Sequence, residues 1–287
     1  MQIPGSRALK GAAAGLSLLL LAMTYTVSVF DIPGATQTDL LGINAKMTIV
    51  GGYDDSSGVH HGFVLSKSAL QTVDYPGGTS TDVIGINSRG DLVGAYIDSS
   101  GNQQGFRGTA SALQAFTYPG SVDGFPRTIN NRGDIVGGFD DTAGNSHGYS
   151  YIDGTFTQID YPGAAATDAW GINDEWEIVG TYYLNDGSQH GFLLADGLFS
   201  TVDIPGAVLT LPTRNSNGGT IIGDYQDTNG VTHGFVLRHG NVSTLDGPNS
   251  NFTRLRGIND RGKIVGWFRN SGVTHGLVAV RHESEDE

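Results

Sequence analysis

The chain has 287 residues, a formal net charge of −13 and no cysteine. A protein this acidic repels nucleic acid and anionic lipid, and the lack of cysteine excludes disulfides, thiolate metal sites and cysteine nucleophiles. The 44 glycines and the low charged fraction of 16% favour an all-β protein with many tight turns.

The first residues have the pattern of a secretory signal. Arg7 and Lys10 precede an apolar run from Gly11 to Met23, which is near the length of a signal core and too short for a membrane span. We therefore expect residues 1–24 to be a signal peptide or an N-terminal anchor. The protein is then exported, to the cell surface or to the extracellular space.

The rest of the sequence is a repeat with a period of 43 residues, best seen from Tyr161 to Asp203. Two series show it. The proline of a turn recurs at Pro33, Pro76, Pro119, Pro162, Pro205 and Pro248, and the glycine of an Ile-Val-Gly run recurs at Gly51, Gly94, Gly137, Gly180, Gly223 and Gly266. A fixed period of this size indicates supersecondary units that bury their apolar faces against their neighbours.

Each unit contains four short apolar segments separated by turn signals. In the fourth unit they are Ala169 to Asn173, Glu177 to Tyr183, His190 to Ala195 and Leu198 to Ile204, with connections rich in Asn, Asp and Gly. Four antiparallel strands in roughly 40 to 45 residues are the pattern of a propeller blade. The sequence predicts an all-β, six-bladed β-propeller over residues 25–280.

The two ends of the repeat are incomplete in complementary ways. The strand before Pro33 matches the fourth segment of a unit, whereas the last segment, His275 to Val280, matches the third. We expect Val27 to Ile32 to pair with Gly276 to Val280, completing the last blade and removing an open sheet edge. Residues 281–287 are then an acidic tail without a structural role.

The Gly-Ile-Asn, Ile-Val-Gly-x-Tyr and His-Gly-Phe blocks resemble a bacterial extracellular repeat family named after its His-Ala-Phe (HAF) signature. The alanine of that signature is replaced by Gly62, Gly105, Gly148, Gly191, Gly234 and Gly276, and Gln104 replaces the histidine in the second unit. The resemblance covers the chain after the signal segment and implies a secreted or surface location. It brings no catalytic motif, so it implies no functional residues.

A histidine opens the third segment in five units, at His61, His147, His190, His233 and His275. Equivalent residues of different blades lie on a wide circle, too far apart to share one ion at a metal–nitrogen distance of roughly 2 Å. We expect each ring to hydrogen-bond a Thr or Asp of its own blade, such as Thr167 or Asp168. The sequence therefore predicts no metal site at these histidines.

The turns between the second and third segments carry acidic residues, such as Asp54, Asp98 and Asp186. A calcium loop alternates its oxygen ligands along the chain, whereas Asp-x-x-Gly is ordinary turn chemistry. We predict no cofactor and keep calcium as the alternative.

Departures from the repeat are where a ligand site is expected, because a ligand seldom shares the symmetry of the scaffold. At the entrance to the first segment, which we take as the innermost strand, four of the twelve arginines collect. They are Arg127, Arg214, Arg254 and Arg256, while other units carry Asp39, Asp82 and Asp168 near there. These side chains are predicted to rim one mouth of the central channel.

The residue types at this mouth suit an extracellular carbohydrate, including an anionic one. Arginine grips carboxylate, sulfate or phosphate in two-point fashion, and Trp170 can stack on a sugar ring. The predicted ligand-binding set is Arg127, Asp168, Trp170, Arg214, Asp224, Arg254, Arg256 and Trp267. The alternative is that the arginines pair with Asp39, Asp82 and Asp168 and plug the channel.

The sequence thus predicts a monomeric binding or scaffold module that recognises carbohydrate or another surface ligand, with no nucleic-acid partner. No catalytic motif is present. A polysaccharide lyase or glycosidase remains an alternative, with Asp168 and Asp224 as candidate carboxylates. A purely structural or protein-interaction propeller, with its channel closed by ion pairs, is a third.

Overall fold

The computed structural model describes residues 24–67 and 69–282. These residues form 24 β-strands, and within them no helix is long and apolar enough to cross a membrane. The predicted signal segment lies outside the described residues apart from Thr24, which is the first residue of β1 (Thr24–Phe30).

The strands after β1 follow the predicted order of four per unit. Units one to three contain β2 (Gln37–Ile43), β3 (Ile49–Asp54), β4 (His60–Ser66), β5 (Ala69–Val73), β6 (Ser80–Ile86), β7 (Leu92–Ile97), β8 (Gln103–Thr109), β9 (Ala112–Ala115), β10 (Asp123–Ile129), β11 (Ile135–Asp140), β12 (Ser146–Ile152) and β13 (Thr155–Ile159). Units four to six contain β14 (Ala166–Ile172), β15 (Ile178–Tyr183), β16 (Gln189–Ala195), β17 (Leu198–Thr201), β18 (Leu209–Asn215), β19 (Ile221–Gln226), β20 (Thr232–Arg238), β21 (Asn241–Thr244), β22 (Phe252–Ile258), β23 (Ile264–Asn270) and β24 (Val273–His282).

The prediction of six separate four-stranded blades is wrong. Units one to four each form a separate four-stranded sheet, but β18–β21 and β22–β24 with β1 belong to one eight-stranded sheet. A parallel bridge between Thr232 of β20 and Phe252 of β22 joins the last two units, with Thr232 N donating to Asn251 O at 3.1 Å. The propeller therefore has four separate four-stranded sheets and one of double width, because neighbouring strand edges approach closely enough to hydrogen-bond there.

The N-terminal strand pairs with the last strand, as predicted. In the β1–β24 register Val27 lies opposite Ala279 and Phe30 lies opposite Gly276. Strand β24 continues to His282, so the first two residues of the predicted acidic tail, Arg281 and His282, belong to the sheet. Contacts of β2 with β22, β23 and β24 bring the last unit against the first and close the ring.

Apolar side chains of each unit pack against the next unit. Val50 of β3 is fully buried in a cluster with Val83 and Phe106 of the second unit, and burying such a side chain contributes roughly 1.5–3 kcal/mol. Val93, Val136 and Val179 are equally buried at the equivalent positions of the next three units. The stability of each unit therefore depends on its neighbours.

The asparagine of the Gly-Ile-Asn block does two things at once. Asn44 Oδ1 accepts from the backbone N–H groups of Lys46 and Thr48, which is the Asx turn expected from the sequence. Its amide also donates to Asn87 O of the next unit at 3.0 Å, and Asn259 donates to Asn44 O at 3.2 Å. These bonds link successive units directly after the end of the first strand of each unit.

Candidate ligand-binding site

A β-bulge in the first strand of every unit redirects one side chain. The ladder skips one residue between the paired positions in each case, and the skipped residues are Leu41, Ile84, Arg127, Trp170, Thr213 and Arg256. Bulges commonly re-aim side chains next to binding sites. Arg256 of the sixth unit lies 5.5 Å from the ring of Trp170 of the fourth, so these side chains meet across the channel.

The residue after the bulge is glycine in four units because the innermost strands converge closely. A Cβ at Gly42 would lie 3.0 Å from Ile84 O, and one at Gly257 would lie 3.1 Å from the Cα of Gly42. The fifth unit has Arg214 at this position, and its side chain is only 7% exposed. The small neighbours leave space for one arginine near the axis.

The guanidinium of Arg214 is held by main-chain carbonyls of four units. Nη1 donates to Trp170 O at 2.9 Å and Thr213 O at 2.7 Å, while Nη2 donates to Arg127 O at 2.8 Å and Ile84 O at 3.3 Å. Burial, together with the charges of Arg256 and Arg127, lowers the pKa of Arg214 to about 9. Arg214 therefore closes the channel as a structural plug.

A buried ion pair holds two further residues of the predicted site. Arg256 donates to both carboxylate oxygens of Asp224, at 2.7 and 3.2 Å, and Arg254 Nε lies 3.6 Å from Asp224 Oδ2. Burial raises the pKa of Asp224, against the opposing charges of Arg256 and Arg254. Asp224 is 2% exposed, so no ligand reaches it without rearrangement.

Arg127 forms a second ion pair at the same end of the propeller. Its Nη2 donates to Asp168 Oδ2 at 2.7 Å, and each side chain keeps about 20% of its surface exposed. The guanidinium also covers the rings of Trp170, at 3.8 Å, and Phe125, at 4.3 Å. Trp170 is partly buried and has two guanidinium groups close to its ring, that of Arg127 at 3.8 Å and that of Arg256 at 5.5 Å, which compete with a sugar for the indole.

The predicted site is thus divided. Arg214, Asp224 and Arg256 are buried in the channel, and the ion pairs that the sequence left as an alternative are present, with Asp168 and Asp224 as the partners rather than Asp39 and Asp82. Trp267 lies apart from the axis, stacked on Phe252 at 5.5 Å. The channel mouth is closed, which is the arrangement the structural alternative expects.

The two carboxylates considered for catalysis do not share a cavity. Asp168 lines a pocket between the third and fourth units, whereas Asp224 is enclosed by Arg256 and Arg254. A glycosidase needs two carboxyl groups on either side of one scissile bond. The geometry therefore gives no support to Asp168 and Asp224 as a catalytic pair.

The recurring histidines are structural, as predicted, but their partner differs from Thr167 or Asp168. Each Nδ1 bonds an aspartate one or two residues after the fourth strand of its unit, for example His190 to Asp203 at 2.7 Å and His275 to Asp31 at 2.9 Å. In the second unit Gln104 and Thr117 replace both members of the pair. Because both residues are replaced together in this unit, the pairing of the histidine with this aspartate could have been inferred from the sequence.

His60 forms a different cluster between the first and second units. Nδ1 lies 2.5 Å from Asp54 Oδ1 and Nε2 lies 2.9 Å from Asp82 Oδ1. Burial lowers the pKa of His60, but the hydrogen bonds and charges of Asp82 and Asp54 outweigh it and raise the pKa to about 9. Burial and the charge of Asp82 also raise the pKa of Asp39 to about 6. Within the described residues, no group of three or more acidic or histidine side chains has the geometry of a metal site.

The open cavity at this end lies between the third and fourth units and not on the axis. It has a volume of about 340 Å³, within the range of roughly 300 to 1,000 Å³ typical of small-molecule sites. Its lining includes Phe125, Arg127, Asp140, Asp168 and Tyr183. We call this cavity the 3–4 cleft.

Sequence reasoning found two residues of the 3–4 cleft, Arg127 and Asp168, and missed Asp140, Ser146 and Tyr183. Tyr183 is 39% exposed, and burial of the rest of its ring, with the charge of Asp168, raises its pKa. The missed residues also depart from the repeat, since Gln226 stands at the position of Tyr183 and His60 at that of Ser146. Comparison of the second and third strands as well as the first would have included them.

Beneath the cleft, Tyr149 stands where the other complete His-Gly-Phe blocks have phenylalanine. Its hydroxyl is buried without a hydrogen-bond partner in the described part of the chain, and burial raises its pKa. Tyr149→Phe is expected to raise the free energy of unfolding by about 1 kcal/mol, because it removes an unpaired buried polar group. Urea denaturation measures this, with Tyr151→Phe as the control; a loss of stability in Tyr149→Phe would mean that the hydroxyl has a partner.

No family model matches the sequence, and no curated protein matches it. Solved structures do match the fold. TolB from Acinetobacter baumannii has 11% sequence identity and a TM-score of 0.58, over 81% of this chain and 63% of that one. A putative TolB from Agrobacterium tumefaciens has 11% identity and a TM-score of 0.60, over 90% and 98%.

A lectin also has this fold. The Aleuria aurantia lectin in complex with Fucα1-6GlcNAc has 9% identity and a TM-score of 0.51, over 87% of this chain and 96% of the lectin. The chain spans less than two thirds of the A. baumannii TolB. At these identities the likeness establishes the propeller fold alone.

Proposed function

We propose that the protein is an exported binding module that recognises carbohydrate in the 3–4 cleft. The observation that carries the proposal is the open cavity of about 340 Å³ beside a closed channel. The proposed site is next to the channel mouth that the sequence favoured, and Arg127 and Asp168 belong to both.

The lining of the cleft has the chemistry that a sugar needs. Tyr183, 39% exposed, supplies a ring surface on which a sugar can pack, and Phe125 adds apolar lining beneath the Arg127 guanidinium. Arg127, Asp140 and Asp168 supply charged donors and acceptors at fixed positions, because the Arg127–Asp168 pair at 2.7 Å orients both side chains. A mostly concave pocket with a few convergent polar groups is the usual form of a small-ligand site.

The comparisons support the proposal only through the fold. The Aleuria lectin, in complex with a fucosylated disaccharide, is an example of a propeller of this class that holds a sugar. Export is proposed from the N-terminal segment and from the resemblance to the HAF repeat family, which implies a secreted or surface location.

A glycan array with the purified chain tests the function, using Tyr183→Ala as the site variant and Gln226→Ala as its control. Gln226 occupies the same strand position in the fifth unit. Tyr183→Ala is expected to weaken binding at least about tenfold, as expected for loss of aromatic stacking and buried area, and Gln226→Ala is expected to leave binding unchanged. Absence of binding to every glycan would contradict the proposal and favour a protein-interaction propeller; loss only in Trp170→Ala would return the site to the channel mouth.

A further inference from the structure

Two junctions between units of the propeller share one acidic frame, and one of them is the 3–4 cleft. Between the first and second units the frame is Asp54 and Asp82, and between the third and fourth it is Asp140 and Asp168, two periods further along the chain. The other junctions have at most one carboxylate at these two positions; between the second and third units, for example, the two residues are Ile97 and Phe125. The two clefts can therefore be compared residue by residue.

The two frames match in one distance and in strand register. A Cβ placed on Gly52 would lie 2.5 Å from Asp82 Oδ1, and one placed on the equivalent Gly138 would lie 2.5 Å from Asp168 Oδ1. The second carboxylate of each frame lies directly opposite the first residue of the third strand, Asp54 opposite His60 and Asp140 opposite Ser146.

The difference between the clefts lies in that first residue of the third strand. His60 fills its cleft and bridges Asp54 and Asp82 at 2.5 and 2.9 Å. Ser146 is too short to do so. Its Oγ donates to Asp140 Oδ1 at 2.6 Å, and the buried Oδ1 of Asp168 has no hydrogen-bond partner among the described residues.

We propose that the 3–4 cleft binds an amino sugar whose protonated amine takes the place that the His60 imidazole occupies in the first cleft. The inference rests on the proposed carbohydrate function and names the class of sugar. An ammonium group donates three hydrogen bonds and carries the positive charge that two carboxylates require.

The surrounding charges favour a cationic ligand. Arg127 neutralises the Oδ2 side of Asp168, but Asp140 and Asp123 at the rim have no arginine or lysine within salt-bridge distance among the described residues. His147 also lines the cleft, and its ring is already paired with Asp160 and Asp141. An anionic sugar would face this acidic surface at a cost, and the net charge of −13 adds to the repulsion.

The test compares glucosamine and N-acetylglucosamine tetrasaccharides by isothermal titration calorimetry with the full chain. The glucosamine oligomer is expected to bind at least tenfold more tightly, and Asp140→Asn is expected to remove most of that preference. Equal affinity for the two oligomers would overturn the inference and leave the proposed carbohydrate function intact. If neither oligomer binds and no glycan on the array binds, both the inference and the proposed function are wrong.

Ser146→His provides the structural arm of the test. It is expected to recreate the His60 bridge across Asp140 and Asp168, to abolish glucosamine binding and to leave the melting temperature equal or higher. Gln103→His is the matched control, because Gln103 occupies the same strand position beside Ile97 and Phe125 and should not affect binding. Retained glucosamine binding in a folded Ser146→His variant would overturn the inference.

Discussion

Asp224→Ala is expected to lower the free energy of unfolding by about 3–5 kcal/mol, since removing one member of a buried ion pair leaves the other charge unpaired. Asp224 is 2% exposed and accepts two hydrogen bonds from Arg256. Arg256 would keep its bond to Leu255 O but would remain a desolvated cation close to Arg214. Chemical denaturation measures the loss.

A double variant separates the effect of the two charges from the effect of the volume that the two side chains fill. Asp224→Leu combined with Arg256→Met is expected to recover most of the stability lost in Asp224→Ala, because apolar replacement of both charges removes the desolvation cost. An Asp224→Ala variant with unchanged stability would contradict the ion-pair assignment and would mean that water or a counter-ion reaches the channel.

The second large effect is a loss of stability at alkaline pH that depends on His60. The pKa of His60 rises from 6.5 to about 9 on folding, so its stabilising contribution is fully present below about pH 6.5 and is lost as pH rises through about 9. The expected size is about 1 to 3 kcal/mol, reduced from the full shift because the side chain is 24% exposed.

Asp39 acts in the same direction over a lower range. Its pKa rises from 3.8 to about 6 on folding, so the folded protein binds the proton more tightly and the free energy of unfolding falls as the pH rises from about 4 to 6.

His60→Gln is expected to flatten the pH dependence of the urea midpoint between pH 6.5 and 9.5, whereas the exposed His239→Asn control should not. The same slope in His60→Gln as in the unsubstituted protein would rule out His60 as its source.

The sequence by itself determined the repeat, the strand order and the pairing of the two chain ends. These features follow from local chemistry: turn residues at fixed spacing, apolar runs of strand length, and a missing strand at one end matched by a spare strand at the other. The pairing of Val27 with Ala279 could be inferred because an unpaired sheet edge is unfavourable in any repeat protein.

Only the tertiary structure decided which departures from the repeat form a site. Arg127 and Arg214 stand one residue apart in the aligned units, yet the bulge directs Arg127 over Trp170 beside the 3–4 cleft while Arg214 fills the channel. The backbone bridge between Thr232 and Phe252, which joins the sheets of the last two units, also could not be predicted from a repeat of 43 residues.

The physical reason is that a repeat period reports what each unit shares, whereas a cleft or a bridge depends on how closely two units approach. Ser146 in place of His60 is an ordinary polar substitution in the sequence. In the folded propeller Ser146 borders a cavity of about 340 Å³, and the neighbouring Asp168 keeps one carboxylate oxygen without a hydrogen-bond partner among the described residues.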